Sequence, residues 1–334
     1  MQHRLLDPVV STVVEHKLGA ALPTTITVRR CATNPIIRPE MDARMGRNIS
    51  GPSLIRVPTW LPNPLGRYYL YFADHKGDYI RLAVADDLVG PWRTYEPGSL
   101  QLSESLFPTS LDQCNITYVN AYGVFDQDFV HIASPDVHID HKQKRLRMYF
   151  HGMLADGNQM TRVATSEDGI HFCAEQPLLG PSYFRVFEYD GWFYAIVMPG
   201  VLMRSRDGMR DFESGPTLFD RSMRHAALQL VGDTLRVFYS NAGDSPESIL
   251  CSTIDLTQDW LNWRNSAPRL MLQPETEYEG VDLATTQSRR GPSHKRMRQL
   301  RDPAIFEEDG HTYLVYAIAG EGGLALAELE FGPN

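Results

Sequence analysis

Apolar residues along this chain gather in runs of roughly four to eight, dominated by Val, Ile, Tyr and Phe and bounded by Gly, Asp, Asn and Pro. Runs such as RYYLYFA, YIRLAVA, TLRVFYS and HTYLVYA either alternate or are apolar throughout, as strands do. Between them nothing sustains a 3.6-residue period, so the pattern predicts an all-β protein. Asp168-Gly169, Asp207-Gly208 and Asp309-Gly310 fall between paired runs. Their acids are read as hairpin-turn residues rather than reactive ones.

The runs repeat. Five units begin near residues 51, 134, 183, 225 and 301, each with a short strand, a turn, an aromatic-rich second strand and a small-residue third strand. Units of about forty residues with four strands are the size of propeller blades. Each needs a neighbour to bury its faces, so the five predict one domain over residues 1–334. The expected architecture is a five-bladed β-propeller with blades starting near residues 48, 131, 182, 224 and 300. The last unit has no outer strand of its own. TTITVRR, residues 24–30 of the N-terminal 1–33 extension, is expected to supply it and close the ring. Insertions at about residues 93–130 and 262–300 are placed outside the blades. The basic end of the second reads as a solvated loop or as a cationic lid.

Composition narrows the function. The 334 residues are 43% hydrophobic and 22% charged, as in a soluble globular protein. A net charge of -9 argues against general nucleic-acid binding. No apolar run approaches the roughly 18 residues that span a membrane, and the start lacks the pattern of a secretory leader. A cytoplasmic protein without nucleic-acid or membrane partners is expected; oligomeric state is not legible. Four cysteines without a CxxC give neither a zinc site nor a disulfide framework. Cys173 and Cys251, in strand-like runs, are expected to be buried free thiols.

Units opening in Gly51-Pro52, Ser134-Pro135 and Asp302-Pro303, with SEDGIHF and SRDGMRDF after third strands, resemble the five-bladed propeller glycoside hydrolases. The relatives are families 43, 32 and 117, and the likeness runs from about Asn34 onward. It implies a carbohydrate substrate, cleavage of a glycosidic bond, and a funnel into which the first strand of each blade points its opening residue. Those residues here are Gly51, Ser134, Tyr183, His225 and Asp302. Two positions on stand Ser53, Asp136, Arg185, Ala227 and Ala304. Family 43 opens blade one with an Asp base and blade three with a Glu acid, where this chain has Gly51 and Tyr183. His225 resembles the blade-four histidine that lies near an axial ion or water, and only through that likeness is a calcium ion implied. No cofactor is otherwise required.

Glycoside hydrolysis needs an acid and a second carboxylate. Asp136 and Asp302 are the favoured pair, facing each other across the ring at a separation that suits inversion; in the competing reading, one of them pairs with Arg185 or Arg301 and only shapes the pocket. The ends of the second strands offer the alternative acids Asp244 and Glu321, and His75 and His151 enter as acids through the family 117 likeness. Asn48, Ser53, His131, Ser134, Ser240 and His225 are expected to line the pocket. Arg185 and Arg301 are expected to be its cations, clamping a carboxylate or sugar hydroxyls. A phosphorylase or lyase on the same scaffold and a non-catalytic sugar-binding propeller are the rival functions.

Overall fold

In the computed structural model, residues 25–118 and 129–332 are described; residues 1–24 of the expected extension lie outside them. The strands form five antiparallel sheets, one for each expected blade. The innermost strands are Ser50–Arg56, Ile132–Asp140, Arg185–Tyr189, Met223–Val231 and Arg301–Glu308. Among the described residues, no helix is long and apolar enough to cross a membrane.

Apolar residues lie between successive sheets rather than in one central mass. In the second strand of blade one, Tyr69 and Tyr71 pack with Leu146, Met148 and Phe150 of blade two. Tyr68, Leu70 and Phe72 point the other way, onto Ala304, Phe306 and Val315 of blade five. Alternation along the strand therefore serves two interfaces at once, which is why YYLYFA is apolar throughout. The same logic joins blades two and three through Tyr149, Phe184 and Val186, and blades three and four through Tyr194, Val237 and Trp263.

The ring closes as the sequence predicts. Ile26–Arg30 is the outer strand of blade five, antiparallel to Leu324–Phe331, with Ile26 opposite Phe331 and Arg30 opposite Ala327. Arg30 pins it: its Nε donates to Glu279 Oε1 at 2.8 Å, its Nη1 to Glu275 at 3.0 Å and its Nη2 to the Gln273 carbonyl at 3.0 Å. Tyr316 donates to the same Glu279 oxygen at 2.8 Å. The Glu279 carboxylate is fully buried, and this partner set is what makes its burial tolerable.

Three expectations need correction. Both insertions begin later than the sequence suggests, because Arg93–Gln101 and Arg269–Leu272 are the fourth strands of blades one and four. Cys251 is buried as expected, but Cys173 is exposed, on a two-residue strand at the rim of blade two. The turn reading of Asp168 and Asp207 holds: each accepts backbone N–H bonds from the residues two and three positions on.

Candidate active site on the propeller axis

Four of the five innermost strands carry the same irregularity. Between Ser50 and Ser53 the partner strand advances only from Ala73 to Tyr71, so blade one has one residue too many. The same extra residue lies between Ala133 and Asp136, Met223 and Ala226, and Arg301 and Ala304. These are β-bulges, which bend a strand and re-aim a side chain. The prolines after Gly51, Ser134 and Asp302 fit there, where a ladder N–H is not needed. Gly51 (φ 58°), Ser134 (54°), Tyr183 (67°) and Asp302 (47°) are all left-handed. For the three that are not glycine this conformation costs about 1–2 kcal/mol each.

In an antiparallel hairpin the start of one strand lies beside the end of the next. The bulges of the first strands therefore meet the ends of the second, and the two layers of candidates form one cluster. His225 Nδ1 contacts Asp302 Oδ1, both side chains fully or almost fully buried. The Tyr183 ring packs 4.0 Å from His225 and 4.4 Å from His151, centroid to centroid. Its hydroxyl is 3.3 Å from His75 Nε2. His151 packs 5.6 Å from His131, whose Nδ1 is 3.0 Å from the Phe129 carbonyl oxygen.

Beside this cluster lies a buried set of charges. Arg301 Nη1 donates to Glu321 Oε1 at 2.8 Å, and its Nε pairs with Glu247 at 3.1 Å. Arg224 approaches the same two carboxylates at 3.7 and 3.4 Å. Asn48 donates to Glu321 and accepts the His75 backbone N–H at 2.8 Å. Ser240 donates to Glu247 at 2.7 Å. The second insertion is tied to this set: Ser293 N–H reaches Glu321 at 3.1 Å, and the Arg289 and Gly291 carbonyls accept from Arg224. Its backbone contributes here, where a cationic lid was one expectation.

Electrostatics separate the roles. Burial works against ionising Glu321, yet Arg301, His75, Arg224 and the Asn48 hydrogen bond outweigh it and hold the carboxyl down to about 2. It stays ionised at neutral pH. Burial, reinforced by Arg224, His75, Arg185 and His151, pushes His225 well below the usual histidine range. Its ring is neutral, with Nδ1 against Asp302. Asp302 is fully buried, and neither of its carboxylate oxygens makes a hydrogen bond among the described residues.

Three candidates are drawn into stitching the blades together. Ser53 Oγ accepts from Val137 N–H of blade two at 2.9 Å. Asp136 Oδ2 accepts from Val186 N–H of blade three at 2.9 Å and sits 2.9 Å from His138 Nε2. Arg185 donates from Nε to the Ala226 carbonyl of blade four at 2.9 Å and from Nη1 to the Ser134 and Pro135 carbonyls. Ser53 and Asp136, two beyond Gly51 and Ser134, and Arg185, two beyond Tyr183, each bond the backbone of a neighbouring blade. Asp136 is also an electrostatic partner of Arg185, the pairing named in the competing reading. Asp244 lies on the turn after Asn241, half-buried, its carboxyl raised by burial and by Glu247. Arg224 and Gln299 belong to the cluster and sequence reasoning missed them; Arg224 directly precedes His225 at the bulge, and that adjacency was the available signal.

The residues around His225 do not fit calcium. The ion takes six to eight oxygen ligands, whereas His225 faces one carboxylate, three aromatic or imidazole rings and two guanidinium groups. Among the described residues no group of three or more His, Cys, Asp or Glu is arranged to hold a metal.

A ring of five sheets with this axial cluster has the fold of the five-bladed β-propeller glycoside hydrolases. A GH130 structure, from a family of mannoside phosphorylases that contains glycoside hydrolases targeting β-1,2 mannosidic linkages in Candida mannan, superposes with a TM-score of 0.62 at 9% identity, covering 94% of this chain and 96% of that one. A glycosyl hydrolase from Bacteroides ovatus gives 0.61 at 10% identity over 94% and 96%. A thermostable family-43 glycoside hydrolase gives 0.54 at 14% identity over 86% and 91%. No family model matches the sequence. The chain belongs to the same family as the uncharacterized protein R118 of Acanthamoeba polyphaga mimivirus, to which it is 37% identical over 331 residues, covering 90% of each.

Proposed function

We propose that this protein hydrolyses a glycosidic bond at the propeller axis, with Asp302 as the carboxylate that takes a proton from the attacking water. The observation that carries this is the Asp302–His225 pair. His225 Nδ1 touches Oδ1, and neither carboxylate oxygen is tied up in a hydrogen bond among the described residues. A carboxyl left uncommitted in that way is suited to take a proton from water once ionised. Its left-handed backbone is the kind of strain that persists where the surroundings fix a functional side chain. The propeller glycoside hydrolases that share the fold support a carbohydrate substrate by analogy.

Water rather than phosphate is the favoured acceptor. A phosphorylase needs cations for the phosphate, and the Arg224 and Arg301 guanidinium groups are engaged by Glu247 and Glu321. The test is turnover of a panel of aryl furanosides, aryl pyranosides and oligosaccharides, with and without inorganic phosphate. Phosphate-independent release that Asp302→Asn abolishes is expected. Strict phosphate dependence would replace the reading with phosphorolysis. Sugar binding by calorimetry without turnover would replace it with a binding propeller.

A further inference from the structure

We infer that Tyr183 is the general acid of this site, protonating the leaving oxygen, with His75 as the residue that positions and reprotonates it; the inference rests on the hydrolytic reading above. Hydrolysis with Asp302 as base still needs a group that holds a proton at neutral pH. The buried carboxyls beside the axis do not qualify. Glu321 is ionised and bound by Arg301, Asn48 and Ser293 N–H, and Glu247 lies against Arg301 and Arg224. Asp136 is turned to the blade-three backbone.

Tyr183 has what the role requires. It occupies the left-handed opening position of blade three, φ 67°, only 6% exposed. Its ring lies against His225, which also contacts Asp302, so phenol and carboxylate share one imidazole neighbour. Its hydroxyl is within reach of His75 Nε2. The His75 backbone is fixed by Asn48, which Glu321 holds in turn. A proton donor, a second group that exchanges protons with it and a third that fixes the second recur in proton-transfer sites. In the step, the water oxygen bonds to the anomeric carbon and passes its proton to Asp302. The glycosidic C–O bond breaks, and its oxygen takes the Tyr183 proton. The phenolate then recovers a proton through His75, and Asp302 releases its own to solvent. A phenol carries a transferable proton and is a stronger acid than a sugar hydroxyl.

The experiment compares wild type, Tyr183→Phe, His75→Gln and Asp244→Asn on glycosides that differ only in the leaving group. Tyr183→Phe is expected to lose about 10²–10⁴-fold in kcat/KM on sugar and alkyl leaving groups, and under about tenfold on a dinitrophenyl group, which leaves without help. The wild-type pH–rate profile should fall on an alkaline limb, and that limb should vanish in Tyr183→Phe. His75→Gln should move that limb without removing it. A loss equal for all leaving groups would reduce Tyr183 to a structural role. The leaving-group pattern appearing in Asp244→Asn would give the acid to Asp244. Either result leaves the hydrolytic reading standing, whereas a wild type that cleaves no glycoside overturns both.

Discussion

Gly51 and Ser134 meet backbone to backbone at the axis: a Cβ on Gly51 would stand 2.9 Å from Ser134 Cα. Gly51 is also left-handed at φ 58°. The opening position of blade one therefore has no room for a side chain, and a carboxylate there is excluded by packing. Gly51→Ala should destabilise the fold by about 2–5 kcal/mol, read as a lower denaturation midpoint with an unchanged slope. Gly51→Asp should lose at least as much and gain no activity.

Asp302→Asn tests the reactive carboxylate with little structural cost. Asparagine tolerates the left-handed region in which Asp302 sits at φ 47°. Turnover should fall by about 10²–10⁴-fold, while the melting temperature stays within a few degrees of wild type.

The Glu321 carboxyl links stability to pH with a definite sign. Its folded value of about 2 is below its ordinary 4.5. The stabilisation is complete above the unfolded value and is lost as pH falls from 4.5 through about 2. Glu321→Gln should melt well below wild type at neutral pH, and the difference should shrink across that window. A difference that is constant with pH would mean the carboxylate charge is not what Arg301 and Arg224 stabilise.

Removing one partner of the ring-closing pair leaves the other charge buried alone. Glu279→Ala should cost about 3–5 kcal/mol by chemical denaturation. Arg30→Met combined with Glu279→Met should cost clearly less than the two single changes added together, since the residues are in contact.

Asp136→Asn separates stitching from chemistry. It weakens the bonds to Val186 N–H and His138, so stability should drop by about 1–3 kcal/mol. The expected kcat stays within a few-fold of wild type. A collapse of kcat in a folded Asp136→Asn protein would return Asp136 to the reaction.

Much of this was readable from the chain because a repeat turns sequence positions into spatial ones. Comparing units picked out Gly51, Ser134, Tyr183 and Asp302, and the structure shows what they share, a positive φ, with a bulge at all but Tyr183. The strand expected over residues 24–30, inferred from the absence of a fourth strand in the last unit, is found as Ile26–Arg30. The direction of side chains beyond the bulge was not legible. A strict two-residue alternation carries Asp136 and Arg185 to the axis, but both face the backbone of a neighbouring blade, Asp136 beyond a bulge that adds a residue. Glu321 was visible as a strand-end acid, yet its locking by Arg224 and Arg301 depends on contacts across two blades that no local pattern encodes.

Pairing Ile26–Arg30 with Leu324–Phe331 also sets an order on the protein's manufacture. A strand made early has to wait for one that follows about 300 residues later in the chain. At about 5–20 residues per second, the N-terminal strand spends roughly 15–60 s without its partner. Through most of that interval Arg30 also lacks Glu279, the buried carboxylate that pins the same joint.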